Sequence, residues 1–236
     1  MVSTSLHRLL SPRSVAVVGG RVAESVVHEL QKLGFAGDIW PVNPKRETMA
    51  GLTCFASLDD LPGVPDAAYI GIAREPAVEA VRVLQAIGAG GAVCHAAGFS
   101  ELGDGGTPLN DALIEAAGDM PVIGPNCWGV LNLLDRTALW PDYHGGEPVE
   151  RGVAILSQSG NMAINFTMQA RALPLAMVIT VGNQTVTDVN DMIEALLGDD
   201  RITAIGLHTE GIADVARFSE IACRAHACGK PIVALK

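Results

Sequence analysis

The feature that most constrains the fold of this chain is a regular alternation of two kinds of segment. Short apolar runs rich in β-branched residues alternate with segments of helical periodicity. In the first half, strands are predicted at 14–19, 38–44, 67–72, 91–98 and 121–126, and helices at 22–34, 76–88 and 109–118. In the second half, strands are predicted at 152–157, 176–182, 203–211 and 231–236, and helices at 161–173, 188–198 and 214–229. Parallel β-α-β units produce such a pattern, so the sequence predicts an α/β protein with doubly wound parallel sheets.

The alternation is interrupted between residues 132 and 151, where the segment PDYHGGEPVERG is rich in glycine, proline and charge. A break of this kind is typical of a domain boundary. We therefore predict two α/β units, residues 1–145 and residues 146–236. The second unit stops on a strand where an α/β unit ordinarily continues into a covering helix, so we expect it to be incomplete at its C-terminus.

Composition excludes several classes of protein. A hydrophobic content of 49% in 236 residues is ample for a buried core. No apolar run approaches the roughly 20 residues of a membrane span, and the N-terminus lacks the apolar region of a secretory signal, so a cytoplasmic location is expected. The net charge of -10 disfavours nucleic acid and anionic membranes as partners. The five cysteines lack metal-ligand spacing, which predicts reduced thiols and no metal site.

The stretch AILSQSGNMAINF (154–166) joins a predicted strand to a predicted helix through two serines and a glycine. A hydrolase elbow requires G-x-S-x-G, but Ser157 stands two residues before Ser159, and neither His208 nor His226 has an assigned orienting acid. Two interpretations stay open. The serine caps the helix, or the first N–H groups of the helix bind an anion.

A second turn of this kind follows the first predicted strand. Gly19 and Gly20 open a helix as in a nucleotide-binding turn, although the third glycine of G-x-G-x-x-G is missing. Lys45 lies just beyond the second strand, where an NAD-binding protein carries an acidic residue for the ribose. A lysine suits a phosphate better than a ribose diol, so an NAD-dependent oxidoreductase is disfavoured.

Taken together, the motifs resemble one family. The succession SVAVVGG, PVNPK, AAGFSELG, GPNCWGVLN, SQSGNM, VGNQTVTDVND and HTEGI, followed by KPIVALK, is similar to the NDP-forming acyl-CoA synthetases, relatives of the succinyl-CoA synthetase alpha subunit. The resemblance covers essentially the whole chain. It implies a CoA-binding Rossmann-like domain followed by a flavodoxin-like, succinyl-CoA synthetase-like ligase domain. The implied activity is an acid–thiol ligase that acts through an acyl phosphate and a phosphohistidine.

The resemblance also implies roles for individual residues by their position. The residues expected along CoA, from its nucleotide to its pantetheine arm, are Gly19, Gly20, Arg21, Lys45, Arg74, Pro76, Gly98, Asn126 and Cys127. The residues expected to open the helix that holds the phosphate of the phosphohistidine are Ser157, Gln158, Ser159 and Gly160. Glu210 matches the acid that orients this histidine. Trp128 replaces a smaller residue of related sequences and is expected to narrow the acyl pocket.

Two departures from the family pattern shape the remaining expectations. The first turn is shorter than in the family, with Arg21 offering a compensating charge to the CoA phosphates. The family's phosphorylated histidine falls beyond Lys236, and none of the six histidines takes its place. We therefore expect the chain to need an ATP-grasp domain or beta-type subunit, which supplies ATP or another NTP with Mg. The substrates implied are CoA and a carboxylic acid or acyl-CoA.

An alternative of a different class stays open. Such domains also resemble regulatory parts fused to acetyltransferases, so the chain is either a ligase component or a non-catalytic module that senses CoA or acyl-CoA. The uncovered final strand leaves the formation of a homo-oligomer open as well.

Overall fold

A computed structural model of the chain describes residues 4–236. In chain order its first elements are α1 (Thr4–Leu10), β1 (Ser14–Gly19), α2 (Arg21–Leu33), β2 (Asp38–Val42), β3 (Thr48–Met49), β4 (Leu52–Thr53), β5 (Ala67–Gly71), α3 (Arg74–Ala86), β6 (Ala92–Cys94), α4 (Thr107–Ala117) and β7 (Val122–Ile123). The later elements are β8 (Val130–Asn132), β9 (Thr137–Leu139), β10 (Gly152–Ser157), α5 (Gly160–Thr167), β11 (Leu175–Thr180), α6 (Val189–Leu197), β12 (Ile202–His208), α7 (Val215–Ala227) and β13 (Ile232–Leu235). Short 3-10 turns occur at Leu58–Asp60 and Ser100–Gly105.

The first sheet has five parallel strands in the order β2-β1-β5-β6-β7. Helix α2 covers one face, because Val26, Val27 and Leu30 recur at helical spacing and are fully buried. Burial of each such side chain stabilises the fold by about 1.5–3 kcal/mol. Helices α3 and α4 pack against each other and contribute to a second cluster of buried apolar residues in this unit. The predicted doubly wound architecture is confirmed, and its strand order reverses between β1 and β5.

The second sheet has six strands in the order β13-β12-β10-β11-β8-β9. The pairs from β13 to β11 are parallel, whereas β8 and β9 are antiparallel additions. Residues 130–139 thus hydrogen-bond to the second sheet, although they precede the predicted boundary. The division at 145/146 stays a prediction. Strand β13 forms the outer edge, where Val233 and Leu235 are largely exposed.

Several predicted bounds were wrong. Strand β6 covers only Ala92–Cys94 of the predicted 91–98, and β7 covers only Val122–Ile123 of the predicted 121–126. Helix α5 ends at Thr167 rather than at residue 173. The Gln169 side chain accepts from the Arg171 N–H and donates to the Leu173 carbonyl oxygen, so it replaces backbone hydrogen bonds that a longer helix would make. Pro174, which follows, has no N–H to continue a helix. Strand β9 lies within the segment 132–151, where no element was predicted, because three residues are too few to show a period.

None of the helices within residues 4–236 combines the length and apolar character needed to cross a bilayer. The same part of the chain contains no group of three or more His, Cys, Asp or Glu side chains that could hold a metal ion.

Candidate functional site

A first cavity lies at the carboxyl ends of β1 and β2, beside the point where the strand order reverses. Its volume is ≈ 420 Å³. Open α/β sheets bind ligands at this position. The lining residues are Val18, Gly19, Gly20, Val42, Asn43, Pro44, Lys45, Ala56, Ser57, Leu58, Ile72 and Pro76.

Gly19 and Asn43 shape this cavity through the backbone. Gly19 has a φ of 140°, and a Cβ atom at this position would collide with the carbonyl oxygen of Gly71 on β5. The Asn43 side chain donates to the Gly19 carbonyl oxygen at 2.7 Å and accepts from the Lys45 N–H at 2.9 Å. Asn43 therefore ties the ends of β1 and β2 together. Sequence reasoning missed this residue, although it stands in the quoted PVNPK motif.

A second cleft of ≈ 500 Å³ lies between the two sheets. The first unit contributes His95, Ala96, Ala97, Asn126, Cys127 and Trp128, and the second contributes Gln158, Ser159, Gly160 and Asn161. The cleft thus joins the end of β6 to the start of α5.

The start of α5 carries free backbone donors. The Ser159 hydroxyl accepts from the Met162 N–H at 3.3 Å, which confirms the helix cap. Within residues 4–236, no acceptor contacts the N–H groups of Gly160 and Asn161. These donors stand at the positive end of the helix dipole, so they are suited to an anion. The cap and the anion site are therefore compatible interpretations of one turn.

Ser157 is fully buried and cannot act as an exposed nucleophile. Its hydroxyl donates to the Ser159 carbonyl oxygen at 2.8 Å and lies 3.3 Å from Nδ1 of His208. Ser157 thus holds the shape of the turn before α5, which agrees with the rejection of a serine hydrolase.

Gln158 connects this turn to the segment after β12. Its side-chain oxygen accepts from the Thr209 hydroxyl at 2.6 Å, from the Gly211 N–H at 3.1 Å and from the Glu210 N–H. Three donors identify this atom as the amide oxygen, so the amide nitrogen is left to donate elsewhere. Glu210 is exposed and is held beside the turn through its backbone.

The rings of Tyr69, His95 and Trp128 form a row that ends in the second cleft. The Trp128 indole lies against Gly160, where an added Cβ would overlap the ring. The His95 ring follows, with its centroid 5.7 Å from that of Trp128 and 5.9 Å from that of Tyr69. Nδ1 of His95 lies 2.9 Å from the Cys127 carbonyl oxygen.

The thiols near the cleft are unreactive. Burial raises the pKa of Cys127 well above its usual value, and the neighbouring Cys94 raises it further. Burial likewise raises the pKa of Cys94 to about 12. A neutral, buried thiol is a poor nucleophile, so Cys127 contributes its backbone and volume rather than thiolate chemistry.

The loops around the second cleft are joined across the two units. The Asn126 side chain donates to the Asn183 side-chain oxygen at 3.3 Å. Asn183 in turn donates to Glu101, which also accepts from the Gly98 N–H at 2.5 Å and the Phe99 N–H at 3.1 Å. Burial alone would raise the pKa of Glu101, but these donors lower it. Sequence reasoning missed Glu101 and Asn183 as linking residues, although both stand in quoted motifs.

The structure distributes the predicted site residues over three places. The first cavity is lined by Gly19, Gly20, Lys45 and Pro76. The second cleft is lined by Asn126, Cys127, Gln158, Ser159 and Gly160. The residues outside both linings are Arg21, Arg74, Gly98, Ser157 and Glu210. Two of these are linked, since the Arg74 guanidinium donates to the Gly98 carbonyl oxygen at 3.2 Å. Their roles toward a ligand stay predictions.

Sequence profiles of two families match the chain. The CoA binding domain matches residues 13–132, and the succinyl-CoA ligase like flavodoxin domain matches residues 150–236.

Individual proteins are similar over the same length. A trans-feruloyl-CoA synthase of an unknown prokaryotic organism is 36% identical over 98% of this chain and 34% of its own length. The alpha subunit of the ADP-forming acetate–CoA ligase II of Pyrococcus furiosus is 30% identical over 98% of this chain and 51% of its own. The dinucleotide forming acetyl-coenzyme A synthetase 1 of Ca. Korarchaeum cryptofilum superimposes with a TM-score of 0.89 at 28% identity, over 98% of this chain and 52% of its own. The chain thus spans about a third to a half of the length of these relatives.

Proposed function

This chain belongs to the NDP-forming acyl-CoA synthetases, and from that premise we propose that it binds CoA and transfers an acyl group from an acyl phosphate to the CoA thiol. In this proposal an ATP-grasp domain or beta-type subunit binds the nucleoside triphosphate and its magnesium. The free state of all five cysteines supports a reducing compartment, and we place the activity in the cytoplasm.

The observation that carries the proposal is the placement of the two cavities along one sheet edge. The first lies at the ends of β2 and β1, and the second begins at the end of β6. Neighbouring strands are about 4.8 Å apart, so β6 lies roughly 10 Å from β1 across β5. An extended molecule with a nucleotide at one end and a thiol at the other fits this arrangement. The nucleotide occupies the first cavity, beside Lys45, and the thiol reaches the second cleft.

The second cleft suits the chemistry of an acyl phosphate. The thiol sulfur attacks the acyl carbon, the bond between that carbon and the phosphate oxygen breaks, and inorganic phosphate leaves with the electron pair. In this proposal the N–H groups of Gly160 and Asn161, at the start of α5, receive this anion. The amide nitrogen of Gln158 supplies a further donor.

For the acid, we propose an aromatic acyl group. The rings of Trp128 and His95 line the second cleft, and offset stacking on such faces favours a flat partner. The relative named as a trans-feruloyl-CoA synthase carries an aromatic acyl group in its name, which supports this choice.

The test is the formation of thioester from CoA and synthetic acyl phosphates, because this half-reaction needs no nucleotide. We expect benzoyl phosphate to react faster than acetyl phosphate, each corrected for its uncatalysed rate. Stacking is worth about 1 kcal/mol, so Trp128→Ala should reduce the preference roughly fivefold. The control Trp40→Ala removes a tryptophan that lines neither cavity and should leave the preference unchanged.

Two outcomes contradict the proposal separately. If CoA binds but neither acyl phosphate yields thioester above the uncatalysed rate, the ligase assignment is wrong and the chain is a CoA-sensing module. If thioester forms with no preference for the aromatic substrate, only the acyl assignment is wrong.

A further inference from the structure

The imidazole of His95 is held in one tautomer. His95 follows β6 directly, and its backbone N–H donates to the Ile70 carbonyl oxygen at 3.1 Å. Its ring nitrogen Nδ1 lies 2.9 Å from the carbonyl oxygen of Cys127. A carbonyl oxygen can only accept, so Nδ1 carries the proton. In the neutral ring, Nε2 therefore presents a lone pair.

The ring is also fixed in position. Its centroid lies 5.9 Å from that of Tyr69 at an interplanar angle of 33°, and 5.7 Å from that of Trp128 at 52°. His95 is half-buried and lines the second cleft. In the part of the chain that the structure describes, no group hydrogen-bonds to Nε2. A positioned base without a protein partner is thus available to a ligand.

The titratable groups packed around His95 do not compete for a proton. They are the phenol of Tyr69 and the thiols of Cys94 and Cys127, and burial raises the pKa of all three. These groups stay neutral near pH 7. His95 is therefore the available base among these neighbours.

We propose that Nε2 of His95 accepts the proton of the CoA thiol as the sulfur attacks the acyl phosphate. The S–H bond breaks toward Nε2, the S–C bond forms, and the carbon–oxygen bond to phosphate breaks. The imidazolium then releases its proton to solvent. This inference rests on the proposed function, since it requires CoA in the second cleft.

The test measures the thiol of bound CoA directly. The ultraviolet absorbance of the thiolate is followed against pH for the chain saturated with CoA, and the same titration with dethio-CoA is subtracted to remove the protein's cysteines. We expect the bound thiol to titrate about one pH unit below free CoA, because an imidazolium partner favours the thiolate. His95→Gln should abolish this difference while changing the affinity for CoA less than threefold. The control His226→Gln alters an exposed histidine on α7 and should behave as the unchanged chain.

A second measurement needs no variant. The nitrogen chemical shifts of the neutral His95 ring should report protonated Nδ1 and unprotonated Nε2. The opposite tautomer overturns the inference, as does a bound thiol that titrates identically in the unchanged chain and in His95→Gln. Failure of the unchanged chain to bind CoA overturns the proposed function as well, whereas binding with an unshifted thiol overturns this inference alone.

Discussion

Replacement of Gly19 by alanine tests the close approach of β1 and β5 at the first cavity. Gly19 pairs in register with Gly71, and its φ of 140° is one that L side chains rarely adopt. An alanine there costs about 1–3 kcal/mol in backbone strain. Its Cβ would also collide with the Gly71 carbonyl oxygen, and relief of such overlap costs about 1–3 kcal/mol more.

The combined destabilisation is therefore about 4 kcal/mol. For a chain of this size, that corresponds to a fall in melting temperature of roughly 8–16 °C. Urea denaturation followed by circular dichroism measures the free energy of unfolding. The matched control is Gly105→Ala, since Gly105 has no positive φ and no atom within 4 Å of an added Cβ. The reasoning is refuted if the two variants are equally stable.

Three further predictions concern the second cleft and the joints between elements. Gly160→Ala should displace the Trp128 indole and disturb the backbone N–H donors at the start of α5. Because these donors would bind a charged group, the affinity for inorganic phosphate, measured by calorimetry, should fall about tenfold. An unchanged affinity would contradict this. Burial lowers the pKa of His144 more than nearby Glu29 raises it, so this histidine binds a proton more readily in the unfolded chain than in the folded one. The free energy of unfolding should therefore fall as the pH drops from about 7 to 5. His144→Gln should flatten this slope in urea denaturation, and an unaltered slope would count against it. Burial alone would raise the pKa of Asp135, but hydrogen bonds from Arg201 and other donors lower it. Asp135→Asn should therefore lower the free energy of unfolding by about 1–2 kcal/mol at pH 7, and by progressively less below about pH 4, where the wild-type carboxylate protonates. A loss of stability that does not depend on pH would contradict this.

Much of the fold could be predicted from the sequence because each buried strand is a short apolar run. The run 14–19 coincides with β1, and 152–157 coincides with β10. Strand order could not be predicted, because it depends on contacts between residues far apart in the chain. The same limit hid β8 and β9. Each has three residues, too few to show a period, and they join the sheet because β8 pairs with β11 and β9 with β8.

The candidate site was predictable where backbone turns follow strands. Gly19 and Ser159 stand at such turns, and the structure places them in the two cavities. The orientation of side chains was not predictable. Asn43 bonds to Gly19 across 24 positions, and His95 bonds to Cys127 across 32, so neither pairing leaves a local pattern in the sequence.

A crystal structure of this chain with CoA tests the central claim most directly. The account predicts the nucleotide in the first cavity beside Lys45 and the sulfur in the second cleft, within hydrogen-bond distance of Nε2 of His95 and close to the N–H of Gly160. A CoA molecule bound elsewhere, or one in the first cavity whose sulfur points away from the second cleft, would contradict it.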